Sequence, residues 1–261
     1  MLRTEARVNP RINPVAIGQA GFAILLLLLW QTGASLALID SSISGSPLGV
    51  IEQGIASLSG TEIWLHAAIT LYEQIAGFAI GVGLGTACAL SLWWLPRTRA
   101  AVDPMIAVFN AVPKIALAPP MIIWFGIFET SKIALAALLC LTIAWMSASE
   151  GIRRVDPDQM DMIRAMGGKS KAVFLKVVLP ASTPQIIASL KINIGFALVG
   201  AVVGEFVSSN HGLGYMAVQA SNFFQIDKLW LVILVIAAIA SIQYFVVLKI
   251  EKRLLHWSGE V

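Results

Sequence analysis

Charged side chains are missing from residues 12–39, 74–96, 133–149 and 229–248. A charge at mid-bilayer costs about 2.5 kcal/mol or more, and a helical span needs roughly 20 apolar residues. Each of these gaps therefore predicts a membrane-crossing helix. Residues 104–128 are apolar apart from Lys114, and 181–204 apart from Lys191, so each predicts a further span with one intramembrane or snorkelling cation. Six transmembrane helices follow. The fold expected is an all-α polytopic membrane protein, with a segment 1–15, a six-span body over 16–251 and a tail 252–261.

Lys and Arg concentrate in cytoplasmic loops of membrane proteins, which orients these spans. Arg3, Arg7 and Arg11 precede the first, Arg97 and Arg99 follow the second, six basic residues lie at 153–176, and Lys249, Lys252 and Arg253 follow the sixth. That places 14 of the 18 basic residues on one side. The other side holds Lys132 and Lys228, together with the acidic stretch 40–63. Both termini are expected in the cytoplasm and the body in the cell inner membrane. The first uncharged run is too long for a cleaved leader and is expected to stay as a span.

Composition supports this class. Hydrophobic residues make up 57% of the chain and charged ones 13%, with a mean hydropathy of +0.80, whereas a soluble domain is about one-quarter charged. Cys88 and Cys140 fall inside spans and are expected to behave as small apolar residues without a disulfide. His66, His211 and His256 are expected in two loops and the tail, without metal-ligand spacing. A membrane-embedded enzyme would need catalytic polar groups clustered at one depth, and the sequence offers only isolated charges.

The one large cytoplasmic loop is predicted at 150–176. Met162, Ile163, Met166, Val173 and Phe174 recur at helical spacing among charges, Gly167-Gly168 offers a break, and Leu179-Pro180 is expected to end a second helix before the next span. The predicted shape is helix, turn, helix. A basic loop held by lipid headgroups would carry similar charge, so charge alone does not separate the two. Met166-Gly167-Gly168-Lys169-Ser170 superficially matches the end of a phosphate-binding loop. That motif requires a glycine where Ile163 stands, and a strand before it, so nucleotide binding by this chain is not expected.

The stretch DMIRAMGGKSKAVFLKVVLP, residues 161–180, resembles the signature of permeases of binding-protein-dependent ABC importers: Glu-Ala-Ala, three residues, Gly, nine residues, Ile, one residue, Leu-Pro. Asp161 stands at the glutamate, Gly167 at the glycine, Val177 at the isoleucine and Leu179-Pro180 at the closing pair, while Met162 and Ile163 replace the alanines. The resemblance extends from about Ser46 over SPLGVIEQG, the segment Asp103 to Ile133, and GEFVSSNHGLGYMAVQASNFF from Gly204. It is nearest to the branch that imports taurine, sulfonates, nitrate, bicarbonate and thiamine precursors, in which Glu73 takes a position often basic.

The resemblance implies a type I importer in which two permease copies pair, two cytoplasmic ATPase subunits dock below, and a periplasmic or lipid-anchored binding protein delivers substrate. The loop 150–180 would be the coupling element, with Asp161, Ala165, Gly167, Leu179 and Pro180 carrying it. Asp161 would begin the coupling helix, favourable beside its N-terminal dipole. ATP and Mg would bind the partner ATPase and no cofactor this chain, which would itself catalyse nothing.

Inside the spans, Gly77, Gly81 and Gly85 repeat every four residues, as do Gly200 and Gly204. Small residues let helices approach closely, and packing within the chain is favoured over a dimer contact. Lys114 lies ~16 Å into its span at 1.5 Å per residue, among Pro113, Pro119 and Pro120 that break the helix. Such a cation would attract an anionic substrate, or pair with a helix-end carbonyl or Glu73. Glu205, near the outer end of its span, is expected at the interface or in gating; with Lys114 and Glu73 it completes the expected pathway set. Trp124 and Phe125 are expected as interface anchors. The closest rival function is a stand-alone secondary transporter, which would show inverted repeats; no convincing repeat is visible.

Overall fold

The structure is a computed structural model that describes residues 14–255. Among them the chain is helical throughout, with no strand. Twelve α-helices follow in order: α1 Pro14–Ser35, α2 Ser41–Ser44, α3 Pro47–Leu58, α4 Glu62–Ser91, α5 Pro96–Ala111, α6 Ala118–Phe125, α7 Glu129–Arg153, α8 Pro157–Ala165, α9 Ser170–Val173, α10 Leu179–Val207, α11 Leu213–Asn222 and α12 Ile226–Leu254. The arginines of the N-terminal segment and the tail from His256 onward lie outside the described residues.

Four uninterrupted helical stretches are long and apolar enough to cross a membrane, namely Glu62–Trp94, Glu129–Arg153, Ser170–Val207 and Ile226–Leu254. Helix α5 and the stretch Lys114–Phe125 make a fifth only if taken together, because they are bent by 87°. The bend has a local cause. Val112, which precedes Pro113, is extended at ψ 134°, since a proline disfavours the helical conformation of the residue before it. Near the N-terminus, Gly21–Ser35 is an apolar stretch of α1.

Helices α4, α7 and α10 form the centre of the bundle, and glycine permits their approach. A Cβ on Gly77 would lie 2.5 Å from the Ala136 Cβ and 2.9 Å from the Ile133 carbonyl oxygen, and one on Gly81 would fall inside contact distance of the Ala137 carbonyl. Gly85 faces the Leu141 carbonyl in the same way, and a Cβ on Gly200 would stand 2.5 Å from Ala136 Cα. The glycine spacing thus serves packing within one chain, the expected alternative.

Two apolar clusters sit at opposite ends. Val50, Ile63, Ala67, Leu213, Met216, Leu231 and Val232 join α3, α4, α11 and α12. Ile152, Val155, Val173, Phe174, Val177 and Val178 join the end of α7 to the start of the α9–α10 stretch. Between the ends, Gln74 and Gln243 exchange amide hydrogen bonds of 2.7 and 2.9 Å, tying α4 to α12.

Three expectations change. The second span begins at Glu62 rather than residue 74, which puts His66 in a helix and not a loop, and Glu73 well inside α4. The bundle buries the His66 and Glu73 side chains, keeping them from lipid, where such groups are costly. Lys132, expected on a loop, is buried at the start of α7 and donates to the carbonyls of Ile127 and Phe128 at 2.6 and 3.1 Å. Leu179-Pro180 does not end the loop's second helix: α9 passes through a π turn, Phe174–Val178, into α10. In that turn the Leu179 N–H reaches the Phe174 carbonyl, and Pro180 sits in the first turn of α10, where its missing N–H is tolerated.

Candidate functional site

The loop at the basic end is a helix and a turn leading into a second helix. Asp156 caps α8 by accepting from the Asp158 N–H at 2.9 Å, and Pro157 follows at the first helical position, a favoured helix start. Helix α8 ends in a tight turn. Gly167 N–H donates to the Arg164 carbonyl and Gly168 N–H to the Ile163 carbonyl, both at 2.9 Å. Gly167 has φ +83°, a conformation glycine adopts without steric cost.

Helix α8 buries no residue fully. Met160 and Ile163 rest against the apolar cluster at the end of α7, leaving Met162 and Met166 outward, 57% and 78% exposed. Asp161 is the fifth of nine residues in α8 rather than its start, and pairs with Arg164 at 2.7 Å; the N-terminal dipole is met by Asp156 and Asp158 instead. Ala165 is the last residue of α8. Leu179 and Pro180 lie beyond the π turn, in the first turn of α10, with Leu179 against the same apolar cluster as Met160 and Ile163.

Lys114 stands just past the 87° bend. Its ammonium donates to the Asn110 carbonyl at 3.1 Å and the Asn110 Oδ1 at 2.9 Å, while Thr142 Oγ1 donates to the same Oδ1 at 3.1 Å. The partner is thus a helix-end carbonyl with its own side-chain amide, not Glu73. Trp124 and Phe125 are exposed at the far end of α6.

Glu73 and Glu205 meet each other instead, at the opposite end of the bundle. Both are 1% exposed with adjoining carboxyls. Glu205 Oε1 accepts from Thr70 Oγ1 at 2.7 Å and Oε2 from the Gly214 N–H at 2.5 Å. Thr70 Oγ1 accepts the Leu213 N–H at 2.8 Å, and His66 Nδ1 the Gly212 N–H at 2.8 Å. Three successive backbone donors at the start of α11 are therefore satisfied by α4 and α10, and a carboxyl faces the positive end of α11. Gly212 has φ +103°, and a Cβ there would overlap the Glu205 carboxyl. Glu205 thus caps α11 from inside the bundle. It also backs a cleft of about 410 Å³ lined by Ser208, Asn210, Tyr215, Gln219 and Asn222. Lys191 is held by Glu251 of α12 at 2.8 Å.

Residues 79–256 match the family described as "Binding-protein-dependent transport system inner membrane component". The chain belongs to this family. Among curated relatives of this permease, the "Putative aliphatic sulfonates transport permease protein SsuC" of Bacillus subtilis is 30% identical over 89% of this chain and 84% of its own length. The "Taurine transport system permease protein TauC" of Escherichia coli is 31% identical over 92% and 90%. These fall in the branch that the sequence resembles. The methionine ABC transporter MetNI in an inward-facing conformation has a chain that superposes with a TM-score of 0.58 at 18% identity, over 73% of this permease and 93% of that chain, a likeness of fold.

Sequence reasoning missed the α11 cap, although a signal existed. A lone Glu205 at the end of an apolar run must find buried donors, and Gly212-Leu213-Gly214 supplies backbone N–H groups close behind it. The Asp156-Pro157 pair likewise marked the true start of α8.

Proposed function

We propose that this chain is the translocation subunit of an ATP-driven importer, crossing the membrane six times with both termini in the cytoplasm. Helix α1 is the first crossing and the bent α5–α6 unit the third. Two copies pair, two ABC ATPase subunits dock on α8 and its turn, and ATP and Mg bind those subunits. A binding protein delivers a small anionic nutrient from the far side, of the sulfonate, nitrate, carboxylate or thiamine-precursor kind, as the taurine and sulfonate relatives suggest. The observation that carries this is α8 with its turn, a short capped helix at the basic end with an outward methionine on it, Met162, and another just past its end, Met166. Exposed apolar side chains on a polar loop mark a partner surface, and methionine adapts to such contacts.

Within this function Lys114 acts on the anion. Its ammonium sits at a break in the helix, and broken helix at membrane depth is tolerated where it lines a water-filled cavity. The test is uptake of radiolabelled taurine into proteoliposomes carrying permease, ATPase and binding protein. Uptake should require ATP on the ATPase side. Lys114→Gln should lower it by about tenfold, equivalent to about 1.4 kcal/mol, while ATPase recovery stays unchanged. Uptake driven by an ion gradient without ATP would replace this function with secondary transport.

A further inference from the structure

The stretch from the end of α4 into α5 is gripped on two sides by elements that flank α8. On one side, Trp93 and Trp94 meet Phe174, the first residue of the π turn, with ring centroids 5.4 and 4.2 Å away. On the other side, Asp103 of α5 gathers four donors. Ser149 Oγ reaches it at 2.7 Å, Trp145 Nε1 at 3.1 Å, Arg153 Nη2 at 3.3 Å and Arg99 Nε at 3.4 Å. Arg99 also donates through Nη2 to the Ser149 carbonyl at 2.7 Å.

The spacing makes this a zipper. Trp145, Ser149 and Arg153 are four residues apart and form one stripe on α7, and Arg99 and Asp103 form its counterpart on α5. The Asp103 side chain is 8% exposed, and hydrogen bonds from charged donors to a carboxylate are short, directional and strong. The aromatic contact on the other side lacks that directionality. Arg153 lies three residues before Asp156, the cap of α8. Helix α8 therefore hangs from the turn of α7 that holds α5, and α5 leads to the bend at Lys114.

We propose that Asp103 is the positioning residue that makes α5 follow the end of α7 when the ATPase displaces α8, so that the bend at Val112–Lys114 moves with the coupling loop. This rests on the docking of the ATPase at α8 proposed above.

The experiment uses the permease–ATPase complex in lipid nanodiscs, with Cys88 and Cys140 replaced by serine and one permease copy labelled. A nitroxide at Ile55 on α3 serves as the reference. Its partner is placed at Met162 on α8 or at Val108 on α5, both exposed. Pulsed-EPR distances are compared without nucleotide and with ATP plus vanadate. In the wild type both distances should shift. Asp103→Ala should keep the Met162 shift and lose more than half of the Val108 shift. If the alanine variant does not fold, Asp103→Asn, which retains an acceptor for Ser149 and Trp145 but no charge for the two arginines, should reduce the Val108 shift. A full Val108 shift in whichever variant folds, with α8 moving, overturns the role of Asp103. An unmoved Met162 in the wild type overturns the docking itself, and the proposal with it.

Discussion

Gly81→Val is expected to lower sharply the recovery of folded, monodisperse permease from membranes, whereas Gly83→Ala on the same helix should leave it unchanged. A Cβ at Gly81 meets the Ala137 carbonyl inside contact distance and the Cys140 Cβ at 2.8 Å, while one at Gly83 meets nothing within 4 Å. Overpacking a well-packed core costs about 1–3 kcal/mol when neighbours can shift. Here the neighbour is helix backbone, and valine adds two methyl groups beyond the first clash, so the cost lies at or above the top of that range. Against a typical stability of about 5–15 kcal/mol, such a loss at the central α4–α7 contact takes away a large share of what holds the bundle together. Size-exclusion profiles of detergent extracts measure it. Normal profiles for both variants would mean that α4 and α7 do not pack as closely as described.

The second large effect is expected at the outer cap. Glu205→Ala leaves the Gly214 N–H without its buried acceptor and the Thr70 hydroxyl with only the His66 carbonyl at 3.2 Å, and an unsatisfied buried donor costs about 1–3 kcal/mol. The start of α11 should open. Amide hydrogen exchange over residues 212–216 is the direct readout, because local opening sets its rate. Exchange there should speed by about tenfold or more, the equivalent of about 1.4 kcal/mol, with the α7 amides unaffected. Glu205→Gln keeps one acceptor oxygen and should fall between alanine and wild type. Unchanged exchange in Glu205→Ala would show that α11 does not depend on this cap.

How far the sequence led depended on what each signal measures. Gaps between charges located most of the membrane helices, because burying an unpaired charge in lipid is expensive. The same rule misplaced the start of α4, since Glu62, His66 and Glu73 carry polarity within one helix, and the bundle shelters His66 and Glu73 from lipid. The turn at Gly167 was legible because a positive φ leaves a glycine in the chain. The role of Asp161 was not, because Asp156, Asp158 and Asp161 all crowd one short helix, and the cap goes to the one followed by proline. The contacts of Asp103, Glu205 and Gln74 join residues far apart in the chain. Nothing in local pattern reports such pairs, although each polar residue in an apolar stretch announced that a partner existed. Pro180 misled for another reason: a proline stops a helix only where its N–H is needed, and the π turn before it removes that need.

The most direct test of the importer function is co-purification of the ABC ATPase with the permease from a membrane extract. Wild type is compared with Gly167→Pro, which cannot adopt φ +83°, with Asp161→Lys, which reverses the charge on the exposed face of α8, and with Gly83→Ala as control. Equal insertion of all four is checked first. The ATPase should be retained by wild type and Gly83→Ala and lost, by tenfold or more, from the two loop variants. Equal ATPase recovery from all four proteins would contradict docking at α8.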